Sequence, residues 1–199
     1  MFTNPGWNVV LVLITCGIFG YFLFYRLMQR DRDHLRRRFE LLDAANTLAW
    51  ERALAQGLDE ELRPAFVRIA GELATLRRLT TEFRDPLVWL LIALVAGTIG
   101  EVVGYIFIDQ DTVTEGRAET AIETELAAIY ARLGAALPGP NPELGKEPHN
   151  YVGRVVAAVL TCGLYVLWWT YDLQVEGNRR SAAVVAWEDA LAASVAAPA

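Results

Sequence analysis

Three apolar runs constrain this chain more than any other feature. They are Trp7–Tyr25 (WNVVLVLITCGIFGYFLFY), Pro86–Ile108 (PLVWLLIALVAGTIGEVVGYIFI) and Val155–Tyr171 (VVAAVLTCGLYVLWWTY). The first and third contain no Asp, Glu, Lys, Arg or His, and the second contains one acid, Glu101. A bilayer core about 30 Å thick takes roughly 20 apolar residues to cross as a helix. The runs therefore predict an all-α membrane protein with three transmembrane helices. With 54% hydrophobic and 21% charged residues, the apolar ones must be segregated into blocks for both to coexist.

The expected organisation follows from those blocks. Residues 1–28 hold the first span, 29–85 a cytoplasmic helical hairpin and 86–108 the second span. Residues 109–150 hold an extracytoplasmic amphipathic helix with a Pro-rich loop. A third span at 151–173 and a cytoplasmic C-terminal helix and tail at 174–199 complete the chain. Charge sets the expected sidedness, because basic residues beside a span favour the cytoplasm. Arg26, Arg30, Arg32, Arg36, Arg37 and Arg38 follow the first span, Arg77, Arg78 and Arg84 precede the second, and Arg179 and Arg180 follow the third. Segment 109–150 is acidic, with Glu143 against Lys146 near its end. The N-terminus is thus expected outside and the C-terminus inside. A net charge of −6 argues against a nucleic-acid partner.

Between the runs, helical punctuation is legible. Gly57 reads as a helix stop and Asp59-Glu60-Glu61 as the next start, since acids favour the first turn. Leu62, Phe66, Ile69, Leu73, Leu76, Thr80 and Phe83 then form one apolar seam. Thr112 and Glu115 have capping-box spacing. Beyond them, Ile122, Leu126, Ile129, Leu133 and Leu137 line one helix face.

The first and third runs are near copies. Thr15-Cys16-Gly17 falls on Thr161-Cys162-Gly163, Val9-Val10 on Val155-Val156 and Asn4 on Asn150. Downstream, LAWERAL (48–54) resembles VAWEDAL (185–191), so Trp50-Glu51 pairs with Trp187-Glu188. The chain reads as two parallel repeats, each a span followed by a helix, with the second span inserted between them. The small Thr-Cys-Gly triplets suit close helix packing. Tyr21 and Tyr25, matched by Trp168, Trp169 and Tyr171, suit an interfacial aromatic belt.

The segments around residues 9–25 and 155–178 resemble a small bacterial membrane domain catalogued as domain of unknown function 4234. The likeness rests on Thr-Cys-Gly-Leu-Tyr, Leu-Trp-Trp and the following Tyr171, Glu176 and Asn178. The first copy departs from it, with Phe19 in place of tyrosine and MQRDRDH in place of QVEGNRR. The resemblance implies a bacterial inner-membrane location and carries no activity.

Glu101 is the sharpest polar feature, because a carboxylate inside a span is costly. Arg154, at the start of the third span, is its expected ion-pair partner. Gly97, Gly100 and Gly104 give the second span a small-residue packing face. No phosphate loop, nucleophile elbow or zinc-helix motif occurs, and His34 and His149 are expected on opposite membrane faces without metal partners. The sequence thus points to a non-catalytic protein with no metal or cofactor, built for the lipid bilayer. Its expected role is a structural or accessory subunit of a homo-oligomer or a larger membrane complex. The alternatives are a small ion or proton channel or transporter using Glu101, and a membrane-bound signalling adaptor.

Overall fold

The computed structural model describes residues 4–81, 85–141, 144–145 and 147–196, the last three without their side chains. Phe83, Arg84, Glu143 and Lys146, used in the sequence argument, lie outside the described residues. Among the described residues there are seven helices and no strand, so the fold is all-α. The helices are α1 (Pro5–Ile14), α2 (Ile18–Gln56), α3 (Asp59–Thr81), α4 (Pro86–Ala96), α5 (Thr98–Arg132), α6 (Tyr151–Leu160) and α7 (Leu164–Ala196). They form two compact units, and α2, α5 and α7 supply residues to both. Unit 1 comprises 1–33, 83–112 and 147–180; unit 2 comprises 34–82, 113–146 and 181–199.

In unit 1 each apolar run is broken at its middle. Thr15 ends α1 and starts α2 with a single hydroxyl. It donates to the Leu11 carbonyl at 2.8 Å and accepts the Phe19 N–H at 2.9 Å. Cys16 and Gly17 then take positive φ, 50° and 91°, and Gly17 N–H closes back on the Val12 carbonyl at 2.9 Å. That six-to-one bond is the Schellman way of ending a helix. The second copy repeats it. Thr161 donates to Ala157 at 2.7 Å and accepts from Tyr165 at 2.9 Å, with Cys162 and Gly163 at 51° and 89°. The Thr-Cys-Gly triplet is thus a turn. It was expected to be a packing notch in a continuous span.

The arms on either side of each turn fold back on each other. A Cβ on Gly20 would lie 3.7 Å from the Val12 side chain. The Trp89 and Phe107 rings stand 5.1 Å apart, and Arg154 bonds Asp172 at 2.7 Å. Residues 18 positions apart in a straight helix would be about 27 Å apart. Each run is therefore an antiparallel helical hairpin: α1–α2, α4–α5 and α6–α7. The returning arms α1, α4 and α6 have 10, 11 and 10 residues, about 15 Å each and half a bilayer core. Among the described residues no helix is long and apolar enough to cross a membrane. The expected trio of spanning helices is corrected on this point: the runs have the total length to cross, but glycine-assisted turns divide them.

The middle run, expected to be a span inserted between the two repeats, is a third hairpin of the same plan. Asp85 caps α4 by accepting from Leu87 and Val88 N–H at 2.8 and 3.3 Å, as Asn4 and Asn150 cap α1 and α6. Proline follows the cap at both Pro5 and Pro86. Gly97, at φ 61°, replaces the Thr-Cys-Gly turn. A Cβ at Gly100 would sit 2.8 Å from the Ala93 Cα, so only glycine lets these arms touch. Gly104 receives the Phe24 ring, whose edge would clash with an added Cβ.

Helices α2, α5 and α7 start at the same end of unit 1 and run side by side. Phe24 meets Tyr105 edge-on at 5.5 Å, and the Tyr105 hydroxyl bonds Thr170 at 2.8 Å. Further along, Arg30 bonds Asn178 at 2.9 Å, and Arg180 donates to the Thr112 carbonyl at 2.8 Å. The core is Val12, Phe24, Trp89, Tyr105, Trp169 and their neighbours. The three turns consequently share one end, and their apolar side chains are exposed: Ile18 75%, Val95 91% and Leu160 77%.

Unit 2 packs segments of α2, α3, α5 and α7 around Leu42, Ala49, Phe66, Ile69, Leu73, Ile122, Leu126 and Trp187. Gly57 (φ 69°) stops α2 and Asp59 opens α3, as the sequence indicates. The Thr112 cap does not form. Its hydroxyl donates back to Ile108 at 2.8 Å, because α5 continues unbroken through this position.

Candidate functional site

Two polar networks stand out, one in each unit. In unit 1, Asp109 is fully buried on α5, one residue beyond the apolar run. Its Oδ1 lies 2.6 Å from His149 Nδ1, and its Oδ2 accepts the Tyr151 hydroxyl at 2.7 Å. Since an ionised carboxylate can only accept, Nδ1 is the donor of this bond. The ring's Nε2 faces Asp172 Oδ2 at 4.0 Å, beyond hydrogen-bond reach. Asp172 is held by Arg154, whose guanidinium also lies over the Trp168 and Trp169 rings at 5.6 and 5.2 Å. Glu176, one turn further along α7, brings a carboxylate to within 4.8 Å of donor atoms of Asp109 and His149.

In unit 2, Arg38 is fully buried and clamps two carboxylates of α5. Its Nε bonds Glu119 and its Nη2 bonds Glu123, each at 2.7 Å, while Glu188 lies 3.5 Å from Nη1. The guanidinium stacks on Trp187 at 5.3 Å. Burial favours the neutral form of Arg38, but these carboxylates outweigh it and its pKa is raised. Glu123 is pushed up to about 7 by burial, with Arg38 and the Asn141 N–H pulling the other way. His34 completes the group, its Nε2 3.6 Å from Glu115 Oε1, with Glu119 also within 4.8 Å.

These contacts revise the expected sites. Arg154 pairs with Asp172 and not with Glu101. Arg154 lies in the first turn of α6, at the base of its hairpin, whereas Glu101 lies in the first turn of α5, beside the tip. Arms about 15 Å long put those positions at different depths. Trp169, expected in an aromatic belt, is fully buried against Tyr105 at 5.9 Å, while Trp168 and Tyr171 are exposed and Tyr21 and Tyr25 half-buried. Cys16 and Cys162 are free and exposed on the turns. The repeated Trp-Glu pairs have diverged. Trp50 packs edge-on against Phe66 at 5.0 Å and Glu51 is exposed, whereas Trp187 and Glu188 join the Arg38 network.

Parts of segments 26–85 and 109–150, expected on opposite faces of a membrane, meet in unit 2. Arg38 of α2 with Glu119 of α5, and Arg68 of α3 with Glu125 at 2.6 Å, place basic and acidic segments in one bundle. A run that doubles back delivers both its ends to the same side. The histidines likewise gain carboxylate neighbours that no linear spacing announces. Asp109, Tyr151, Asp172 and Glu176, absent from the sequence-derived site, are recognisable there only as polar residues just beyond an apolar run.

Comparison with family models, curated proteins and solved structures gives no match to this chain. The resemblance of the turn segments therefore rests on the residues quoted above.

Proposed function

We propose that the chain is a non-catalytic membrane protein that dips three helical hairpins into one leaflet and serves as an anchored structural or accessory subunit. The observation that carries the reading is the common end of unit 1, where all three turns expose apolar side chains such as Ile18, Val95 and Leu160. Leu13, Ile14, Ile99, Val159 and Leu164 extend the same surface. Contiguous apolar surface of this kind marks a membrane or protein contact. Arms of about 15 Å match one leaflet. Helical backbone with capped ends also meets the requirement that polar groups be satisfied inside lipid. The polar groups at the hairpin bases pair with one another, which suits an architectural role better than a conducting path. The bacterial inner membrane is the proposed location.

Flotation with phospholipid vesicles tests the reading, with the depth of the turns read by brominated lipids that quench a fluorophore on Cys16 or Cys162. The protein is expected to float, with quenching strongest from bromines near the acyl-chain ends. Protein that stays at the bottom of the gradient, or turns quenched only at headgroup depth, would overturn it.

A further inference from the structure

We propose that the groove between α5 and α6 in unit 1 seats one acyl chain of a phospholipid, held as a fixed component of the fold. The proposal rests on the leaflet reading above and names the molecule that this part of the surface takes. The groove has a volume of about 420 Å³. Val102 and Ile106 of α5 form one wall, Ala158 and Val159 of α6 the other, and Cys162 lines the end at the third turn. Among the described residues, no Asp, Glu, Lys, Arg or His lines it, so it complements an uncharged occupant. The sequence explains the space. In the first repeat, Val12 and Leu13 stand at the positions that match Ala158 and Val159. The third hairpin thus has a wall smaller by roughly three methylene groups.

Dimensions choose among apolar occupants. From Thr98 to Ile106 the α5 wall is about 12 Å long, close to the roughly 15 Å of acyl chain in one leaflet. Spread over that length, the volume gives a cross-section of about 35 Å², under half that of a helix about 10 Å across. A helix of a second copy is therefore too wide, whereas a hydrocarbon chain is narrow enough. Polarity runs in the same order as in a phospholipid. Ile99 and Val159, 73% and 72% exposed, make the groove continuous with the apolar end of unit 1. At the other end Arg154 precedes Val155, and Asp109 lies one turn beyond Ile106. Charged side chains thus begin at the level where the headgroup would emerge.

The test uses the full chain, stripped of lipid in detergent micelles and titrated with dioleoyl phosphatidylcholine, with retained lipid counted by native mass spectrometry. One phospholipid per chain is expected. A158V/V159L, which restores the residues of the first repeat, should weaken retention at least about tenfold, the cost of roughly two buried methylene groups. V156L enlarges an exposed α6 side chain outside the groove lining and should leave retention unchanged. Dihexanoyl phosphatidylcholine has the same headgroup with tails too short to fill the groove, and should bind far more weakly. In the unsubstituted chain, the dioleoyl lipid should slow maleimide alkylation of Cys162 and not of Cys16, its twin on a turn of the same geometry. This measurement holds even if a variant fails to fold. No retained phospholipid, undiminished retention in A158V/V159L, equal binding of the dihexanoyl lipid, or equal protection of both cysteines would each overturn the groove. Retention without flotation would support the groove and sink the leaflet reading, whereas flotation without retention would do the reverse.

Discussion

Arg154 and Asp172 stand 18 positions apart in sequence and bond at 2.7 Å, across the two arms of one hairpin. The guanidinium is buried over two indole faces, and the carboxylate is its direct charge partner. Removing one member of such a pair leaves the other uncompensated. Asp172→Asn should therefore lose about 2–4 kcal/mol of stability, and adding Arg154→Met should restore part of it. Unfolding of the single and double variants in micelles measures the coupling; strictly additive losses would show that the pair does not hold the hairpin.

The α4–α5 hairpin depends on a missing side chain. At Gly100 a methyl group would meet the Ala93 backbone, which cannot rotate away. Gly100→Ala should lower stability by about 1–3 kcal/mol through overpacking. Gly71→Ala is the contrast, because nothing lies within 4 Å of its added methyl and alanine is the better helix former. A gain of a few tenths of a kcal/mol to about 1 kcal/mol is expected there. Thermal melts of the two variants are sufficient to compare them.

Arg38 neutralises Glu119 and Glu123 in a site closed to water. Arg38→Met removes the only fully buried guanidinium among the described residues and strands both acids, at an expected cost of about 3–5 kcal/mol. Adding Glu119→Gln and Glu123→Gln should recover a large share of that loss. Chemical denaturation of the single and triple variants decides the point, and a single variant as stable as the parent would refute the network's role.

The same network sets a pH dependence. Glu123 has its folded pKa raised to about 7, so between its unfolded value near 4.5 and 7 the folded state holds the extra proton. Its contribution to stability is fully present below 4.5 and is lost as pH rises through 7. The groups facing it are Arg38, Glu119 and the Asn141 N–H. Melting temperature should decline across that window, and Glu123→Gln should flatten the decline. A parent profile equally steep in E123Q would assign the slope to another group.

Exposed Arg36 and Arg117 probe the sidedness of the basic and acidic segments. Converted singly to cysteine on a Cys16→Ser, Cys162→Ser background in sealed vesicles, both should react with an impermeant maleimide from one side. Reaction from opposite sides would restore a crossing helix between them.

Much of this structure was readable in advance because it is local. Gly57 and Asp59 act through bonds within a turn or two of themselves, and the buried α3 seam from Leu62 to Leu76 follows from helical period alone. The duplication of Thr-Cys-Gly was visible as well, and its two copies share φ values within two degrees. The triplet's effect was not legible. A non-glycine residue in the left-handed region costs only on the order of 1–2 kcal/mol. That is too little for sequence alone to choose between a straight span and a reversal. The choice is made by long-range packing. Phe24 against Tyr105, Tyr105 against Trp169 and the touching arms at Gly100 reward the reversal with buried area and a buried hydrogen bond. Sequence by itself thus determined the helical class, the Gly57 stop with the Asp59 start, and the apolar blocks, because those depend on neighbours along the chain. Tertiary structure alone decided that each block turns back, that Arg154 meets Asp172, and that Asp109, His149 and Glu176 converge, because those depend on which distant residues the turns bring into reach.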